Sequence, residues 1–295
     1  MLRGTTQKLL ADVLGRDDLF TGLHRIRRRA VLWGQSAALA VVPHAAVVVS
    51  ETAILDSIRE EPPPPNSPAD ENAAWSIFAG RGFPQDPPRE EHNFGCRMAA
   101  ALPVALKSAD ASDACWIESH KDGWLFLLPT GLKSGWLLCV GGQPESMLRE
   151  SRLVPAQISE AGAAAAEFPS HPRASEPLAG PGWLSCGGAA LSFDPLCGEG
   201  AGNAAREAIL AAAVLRAACA GEDAHSLATH YSARLLAGFH KHLEICRQYY
   251  STGHHGPWWD RQLVDLNRGL EWTSRQLANF QGFPYRLNGF TLRKL

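Results

Sequence analysis

The sequence predicts a mixed α/β fold, with strands dominating its first half and helices its last third. Three observations lead there. Short β-branched and apolar runs recur from Ala30 to Gly142, the stretch Asn203 to Ala220 is alanine-rich with strong intrinsic helix propensity, and Leu227, Tyr231, Leu235, Phe239 and Leu243 fall at four-residue spacing. The 295 residues are more chain than one minimal core needs, so one large or two interlocked domains are expected.

Thr6 to Leu14 has a short helical pattern. The runs 30–33, 39–42 and 46–49 read as strands, and Arg25 to Arg29 (RIRRR) before them reads as a solvated basic edge. Ser50 is placed to cap a helix over Thr52 to Glu60. Residues 61–72 (EPPPPNSPADEN) read as a surface loop, because proline removes the amide hydrogens a ladder needs, and Phe83 to Glu91 reads the same way. Between Trp75 and Gly142 the runs WSIFA, RMAAALPVAL, ACWIES, GWLFLLP and GWLLCVGG are punctuated by Gly, Pro or Asp. That pattern predicts a mostly antiparallel sheet, with KDG before Trp124 and TGLKSG as turns. A helix over Glu145 to Ala166, a short strand in WLSCGGAA and a helix over His225 to Tyr250 complete the reading.

Composition excludes several classes. Hydrophobic residues at 45% and charged residues at 20% suit a packed core. Lys plus Arg number 28 against 30 Asp plus Glu, a net charge of -2, which lacks the positive field that nucleic acid or anionic lipid selects. The longest apolar run, Ala37 to Ser50, is broken by Pro43 and His44 and falls short of the ~20 residues of a spanning helix. The opening MLRGTTQKLL lacks the apolar core of a signal peptide, so neither membrane nor export is expected and the reading is cytoplasmic. Seven cysteines, at 96, 115, 139, 186, 197, 219 and 246, contain no CxxC and read as reduced, mostly buried thiols, with no metal site. His254 and His255 beside Trp258 and Trp259 read as a surface loop, His240 and His242 as residues on different helix faces, and His44 as structural.

The informative stretch is Gly182 to Arg216. A strand delivers a loop containing Asp-Pro and spaced glycines, and the loop opens a long helix whose first amides lack intrahelical partners. Such a start receives an anion or carbonyl, and Gly198, Gly200 and Gly202 let a flat ligand approach the backbone. On residue types alone, a plain glycine-rich turn stands beside that reading. The order of residues goes further: Gly187 to Asn203 resembles the second flavin-binding motif of FAD-dependent hydroxylases and halogenases, G-D-A-A-x-x-x-D-P-L-x-G-x-G-x-x-N. Gly187, Ala189, Ala190, Asp194, Pro195, Leu196, Gly198, Gly200 and Asn203 match it, and Gly188 stands at the Asp position. The resemblance implies that this loop lies beside the isoalloxazine ring, with the helix N-terminus toward the pyrimidine carbonyl where reduced flavin collects negative charge.

Gly123 to Pro129 (GWLFLLP) is similar to the Trp-x-Trp-x-Ile-Pro element of flavin-dependent halogenases, with Phe126 for the second Trp and Leu128 for Ile. The resemblance implies that Trp124, Phe126 and Pro129 screen the flavin from substrate. Period-two patterning alone makes Trp124, Phe126 and Leu128 one face of a half-buried strand.

Together these resemblances imply a hydroxylase-type FAD-binding fold, in which a partial Rossmann-like cofactor domain is interleaved with an antiparallel substrate-domain sheet and followed by a helical C-terminal region. The expected segments are 1–60 (cofactor domain, partial), 61–180 (substrate-domain sheet and helix), 181–224 (second flavin motif and helix) and 225–295 (helical). The implied activity is that of an FAD-dependent oxidoreductase, monooxygenase or halogenase-like and similar to tryptophan halogenases, acting on a small-molecule or peptide-borne substrate; no catalytic residue is assigned. Two departures stand against full activity. Gly188 forgoes a charge-assisted hydrogen bond to the ribitol, and no Gly-x-Gly-x-x-Gly, which holds the pyrophosphate in that family, occurs in the chain. The expectation is therefore a truncated, impaired relative with weak or absent FAD binding and a tendency to pair with another copy. The alternative is a non-catalytic relative serving as a binding or maturation partner.

Overall fold

The structure, a computed structural model, describes residues 1–35, 38–58, 75–80 and 89–295. The helices are α1 (Gly4–Leu14), α2 (Glu51–Ile58), α3 (Pro144–Glu150), α4 (Gly200–Cys219), α5 (Ala224–Ser251) and α6 (Pro257–Ala278). The first strands are β1 (Leu2–Arg3), β2 (His24–Leu32), β3 (Ala40–Val48), β4 (Ser76–Phe78), β5 (Glu90–Asn93) and β6 (Met98–Leu106). There follow β7 (Ala114–His120), β8 (Gly123–Pro129), β9 (Ser134–Gly141), β10 (Ile158–Ala161), β11 (Ala166–Pro169) and β12 (Arg173–Glu176). The last are β13 (Ala179–Gly180), β14 (Trp183–Ser185), β15 (Leu191–Ser192), β16 (Tyr285–Asn288) and β17 (Thr291–Lys294). Among the described residues no helix is long and apolar enough to cross a membrane.

Two compact units share the chain. The first comprises Met1–Glu60, Cys96–Ser170 and Arg247–Val264, and the second Glu61–Gly95, His171–Cys246 and Asp265–Leu295. This differs from the contiguous segments expected from sequence, because β2 pairs in parallel with β7 and so carries the segment 1–60 into the same sheet as residues 96–170.

The first unit is built on a nine-stranded sheet in the order β1-β3-β2-β7-β8-β9-β6-β10, with β11 also pairing β6. Its β6 to β9 portion is antiparallel, as the punctuated runs predict, and Lys121-Asp122 and 130–133 make the expected turns. Gly123 is required at the first turn: φ is +153°, and an added Cβ would lie 1.9 Å from the Val140 carbonyl oxygen. One face buries Leu102, Val104, Leu125, Leu127, Leu137 and Trp116 in the main core, and the other buries Ile26, Ala46 and Cys115 against Phe126 and Leu128. RIRRR lies within β2, not at an edge before it, and β3 unites the two expected strands around Pro43. Proline is tolerated there because the β2–β3 register shifts between Ile26 and Arg28, next to the Arg28–Pro43 pair. Ser50 caps α2 as expected, its Oγ accepting from the Ala53 amide at 3.1 Å. The expected loop at 61–72 lies outside the described residues, as does 83–88 of the second; Glu90 and Glu91, also read as loop, are strand, paired with β12.

The helix expected over Glu145 to Ala166 stops at Glu150, and 158–161 and 166–169 pair with β6 instead. Glu118 on β7, 2% exposed, takes the backbone amides of Arg152 (2.8 Å) and Leu153 (3.0 Å) and the Ser151 hydroxyl. A long-range carboxylate thus captures the amides a continuing helix would have used, which local propensity does not foresee.

The second unit holds two three-stranded sheets, β15-β12-β5 and β13-β14-β4, together with α4 and most of α5 and α6. Its apolar interior includes Leu227, Tyr231, Leu235, Phe239 and Leu243, the four-residue series read from sequence. The chain closes with the β16–β17 hairpin, where helix was expected.

Candidate functional site

The residues of the 187–203 motif are gathered into one strand–turn–helix element of the second unit. β14 ends at Ser185, which is fully buried; its hydroxyl donates to the Leu178 carbonyl (2.6 Å), and its carbonyl accepts from the Tyr231 hydroxyl (2.8 Å). Gly187, at φ +52°, opens a 3₁₀ turn through Ala189 that an ordinary residue would strain. Two arginines hold this turn by its carbonyls: Arg173 Nη2 donates to the Gly188 oxygen (2.6 Å) and Arg89 Nη2 to that of Ala189 (2.9 Å). Arg173 is itself anchored by Glu91 at 2.9 Å. Burial, with Arg173 nearby, lowers the pKa of Arg89. Glu207 on α4 accepts from the Gly187 amide at 2.7 Å, and burial pushes its carboxyl up to about 7 despite that hydrogen bond.

The chain then passes β15 to Asp194, 2% exposed, whose Oδ1 accepts from the Leu196 amide at 2.9 Å and caps the single turn Pro195–Cys197. Gly198 terminates that turn at φ +63°. Helix α4 begins at Gly200, so Gly200, Gly202 and Asn203 lie in its opening turns and not in a loop. Glu199 precedes the helix without capping it through its side chain, and its carboxylate lies 3.9 Å from Arg206. Among the described residues an added Cβ at Gly198 or Gly200 would meet nothing within 4 Å, so nothing described there crowds the backbone or the helix start. At Gly188, among the described residues, only the Ala79 carbonyl comes within 4 Å of such a Cβ. An uncapped helix start beside open, glycine-exposed backbone fits the ring side of a flavin. For the pyrophosphate there is no matching glycine turn in the sequence. Asn203 also borders a cavity of about 260 Å³ with Phe193, Arg206, Glu207, Leu210 and Arg234.

The motif turn is tied to α5. The Asp194 amide donates to His242 Nε2 (2.9 Å), Phe193 sets its ring edge-on to His242 (4.9 Å), and Cys197 Sγ lies 3.4 Å from Cys246 Sγ. Cys246 Sγ is in turn 3.3 Å from His242 Nε2. The Cys197 thiol titrates below the ordinary thiol range, chiefly through its contact with Cys246 and against the opposing effect of burial. No metal-ligating group was expected from the sequence, yet these three side chains converge. The available signal was the i, i+4 pair His242 and Cys246 on a predicted helix. The roles of Arg89, Arg173 and Glu207 had no sequence signal, since each depends on carbonyls and amides that only the fold brings near.

In the first unit, Trp124, Phe126 and Leu128 share one face of β8, as period-two spacing predicts, but the strand is not half-buried: Trp124 on that face and Leu125 and Leu127 on the other are all buried. Its indole N–H donates to the Tyr250 hydroxyl at 3.1 Å. The Arg97 guanidinium lies 5.0 Å over the Tyr250 ring and donates to Gln262 (2.9 Å) and the Ser170 carbonyl (2.8 Å). Pro129 ends the strand opposite Gly135. Trp258 and Trp259, read as loop, open α6, where Trp259 is buried and donates to the His120 carbonyl at 2.8 Å. His254 contacts the Ser119 carbonyl at 3.1 Å. His44 is structural as read: Arg29 sits 3.2 Å from its Nε2, and burial, with Arg29 and Arg3, lowers its pKa to about 4.

No protein-family profile and no curated protein matches the chain. Solved structures do. The flavin-dependent halogenase CmlS superposes with a TM-score of 0.68 at 18% identity over 94% of this chain, which spans 64% of that protein's length. The myxobacterial chondrochloren halogenase CndH gives 0.71 at 14% identity, covering 99% of this chain and 84% of that one. The peptidyl tryptophan dihydroxylase QhpG gives 0.64 at 16% identity, covering 100% and 77%. The architecture is therefore the fold of flavin-dependent halogenases and aromatic hydroxylases, as the resemblance implied.

Proposed function

We propose that this chain is a flavin-dependent oxidoreductase of the monooxygenase or halogenase type, with residues 187–203 bordering the flavin ring. The observation that carries the reading is the uncapped start of α4 beside Gly198 and Gly200, delivered by the segment 187–198, with the matched Gly200 and Asn203 in the first turn of the helix itself. Bound and reduced flavin supplies the oxygen chemistry by which such enzymes hydroxylate or halogenate aromatic substrates. The protein's part is positioning. The first amides of α4 present a positive dipole end to a ring carbonyl, Gly198 and Gly200 keep the backbone bare, and Arg89 and Arg173 fix the turn that precedes them. Trp124, Phe126 and Pro129 keep the screening role as part of this reading, with Trp124 held in place by its hydrogen bond to Tyr250. The likeness to a peptidyl tryptophan dihydroxylase supports a peptide-borne aromatic substrate.

A second reading, a non-catalytic binding or maturation partner, is favoured by one observation: Gly188 stands where the motif carries its aspartate. Riboflavin titration of the purified chain and of Gly200→Val separates the two. Saturable fluorescence quenching that the substitution abolishes supports the oxidoreductase. Absence of quenching in the folded parent chain supports the partner.

A further inference from the structure

We infer that Cys197, His242 and Cys246 form a zinc(II) site that clamps the Asp194–Cys197 turn to helix α5. His242 and Cys246 stand one helical turn apart on α5 and so share a face, and Cys197 reaches them from the end of the Pro195–Cys197 turn. Their ligand atoms all lie within 4.8 Å of one another, with Cys197 Sγ to Cys246 Sγ at 3.4 Å and Cys246 Sγ to His242 Nε2 at 3.3 Å. Around tetrahedral zinc, with Zn–S about 2.3 Å and Zn–N about 2.0 Å, two sulfurs stand about 3.8 Å apart and a sulfur and nitrogen about 3.5 Å. The Cys197–Cys246 and Cys246–His242 separations would widen by a few tenths of an ångström, and Cys197 Sγ and His242 Nε2, within 4.8 Å, would settle at about 3.5 Å, to admit the ion.

The donor set selects the metal. Two thiols and an imidazole favour zinc over magnesium or calcium, which take oxygen ligands. Both sulfurs bind the ion as thiolates, any proton still held passing to solvent, so two thiolate charges cancel the two charges of the ion. Neutrality matters here because His242 is 5% exposed and Cys246 fully buried. Cys197 is partly exposed and leaves a side for water as fourth ligand. The Asp194 amide now donates to His242 Nε2, and the metal takes over that lone pair.

The test uses the whole chain, purified under reducing conditions. Expected are about one zinc per chain after dialysis, a release of protons when zinc is added to the metal-free protein, and thiolate-to-metal absorption when cobalt(II) is substituted. Cys197→Ser, at the most exposed ligand, and His242→Ala should each lower the bound zinc and remove the cobalt absorption. Zinc should raise the thermal midpoint of the parent chain only, and circular dichroism checks that the variants fold. Sub-stoichiometric zinc in the reduced parent chain overturns the proposal. So does zinc content unchanged by both substitutions, or a Cys197–Cys246 disulfide in a chain whose reduced form gives no cobalt absorption.

Discussion

Trp124 on β8 and Tyr250 on α5, 126 residues apart in sequence, meet through one hydrogen bond in which the indole N–H donates to the phenol oxygen at 3.1 Å. Both rings are 1% exposed. Tyr250→Phe leaves a buried indole donor unpaired and should destabilise the chain by about 1–3 kcal/mol. In a double-mutant cycle with Trp124→Phe, the combined loss should fall short of the sum of the single losses. Urea unfolding measures this, and additivity within about 0.3 kcal/mol would mean that the two rings do not interact.

Glu207 gives stability a definite pH dependence. Its folded-state carboxyl is raised from 4.5 to about 7, with burial as the first cause. Below pH 4.5 the group is protonated in both states and its contribution is fully present. As pH rises toward 7 the unfolded chain ionises first, so up to about 3 kcal/mol of stability is lost across that window. Glu207→Gln should flatten this part of the profile and be the more stable protein at pH 8. Parallel profiles for the two proteins, from urea unfolding between pH 4.5 and 8, would contradict the assignment.

Gly123→Ala tests the turn between β7 and β8. The methyl would sit 1.9 Å from the Val140 oxygen at a φ of +153°. The expected loss is about 2–5 kcal/mol. Gly131→Ala, whose added Cβ would meet only the Ser134 hydroxyl, at 3.2 Å, is the control and should lose much less. Equal thermal midpoints for the two variants would show that β8 starts differently.

Much of this was legible in the sequence where the signal is local. The alanine-rich α4, the four-residue series of α5, the Ser50 cap and the turns flanking β8 all follow from propensity or periodicity within a single element. What was not legible depends on distant partners. Helix α3 stops early because Glu118 takes the amides of Arg152 and Leu153 from across the sheet. The Cys197–Cys246 approach joins thiols 49 residues apart, in a chain without CxxC. The candidate site divides the same way: the order from Gly187 to Asn203 could be read, whereas the arginines that hold Gly188 and Ala189 could not.

Gly188→Asp tests the motif assignment. Among the described residues only the Ala79 oxygen, at 3.8 Å, comes near the added Cβ. An aspartate there restores an acceptor for a ribitol hydroxyl, a charge-assisted bond worth ~1.5–3 kcal/mol. Riboflavin affinity should therefore rise by about tenfold or more. Unchanged or weaker affinity, read by fluorescence quenching, argues against placing the ribitol beside residue 188.

The ring-side flavin element is the central claim, and comparing FAD with riboflavin on the 295-residue chain tests it most directly. If residues 187–203 hold the ring while no glycine turn holds the pyrophosphate, the adenine and phosphate half of FAD adds little to offset the cost of association. Both ligands should then bind saturably, with dissociation constants no tighter than roughly 10 μM, or about −7 kcal/mol, and within a few-fold of one another. Sub-micromolar FAD binding with weak riboflavin binding would show that the dinucleotide is held by its phosphates. No saturable binding of either ligand would remove the flavin site from residues 187–203 altogether.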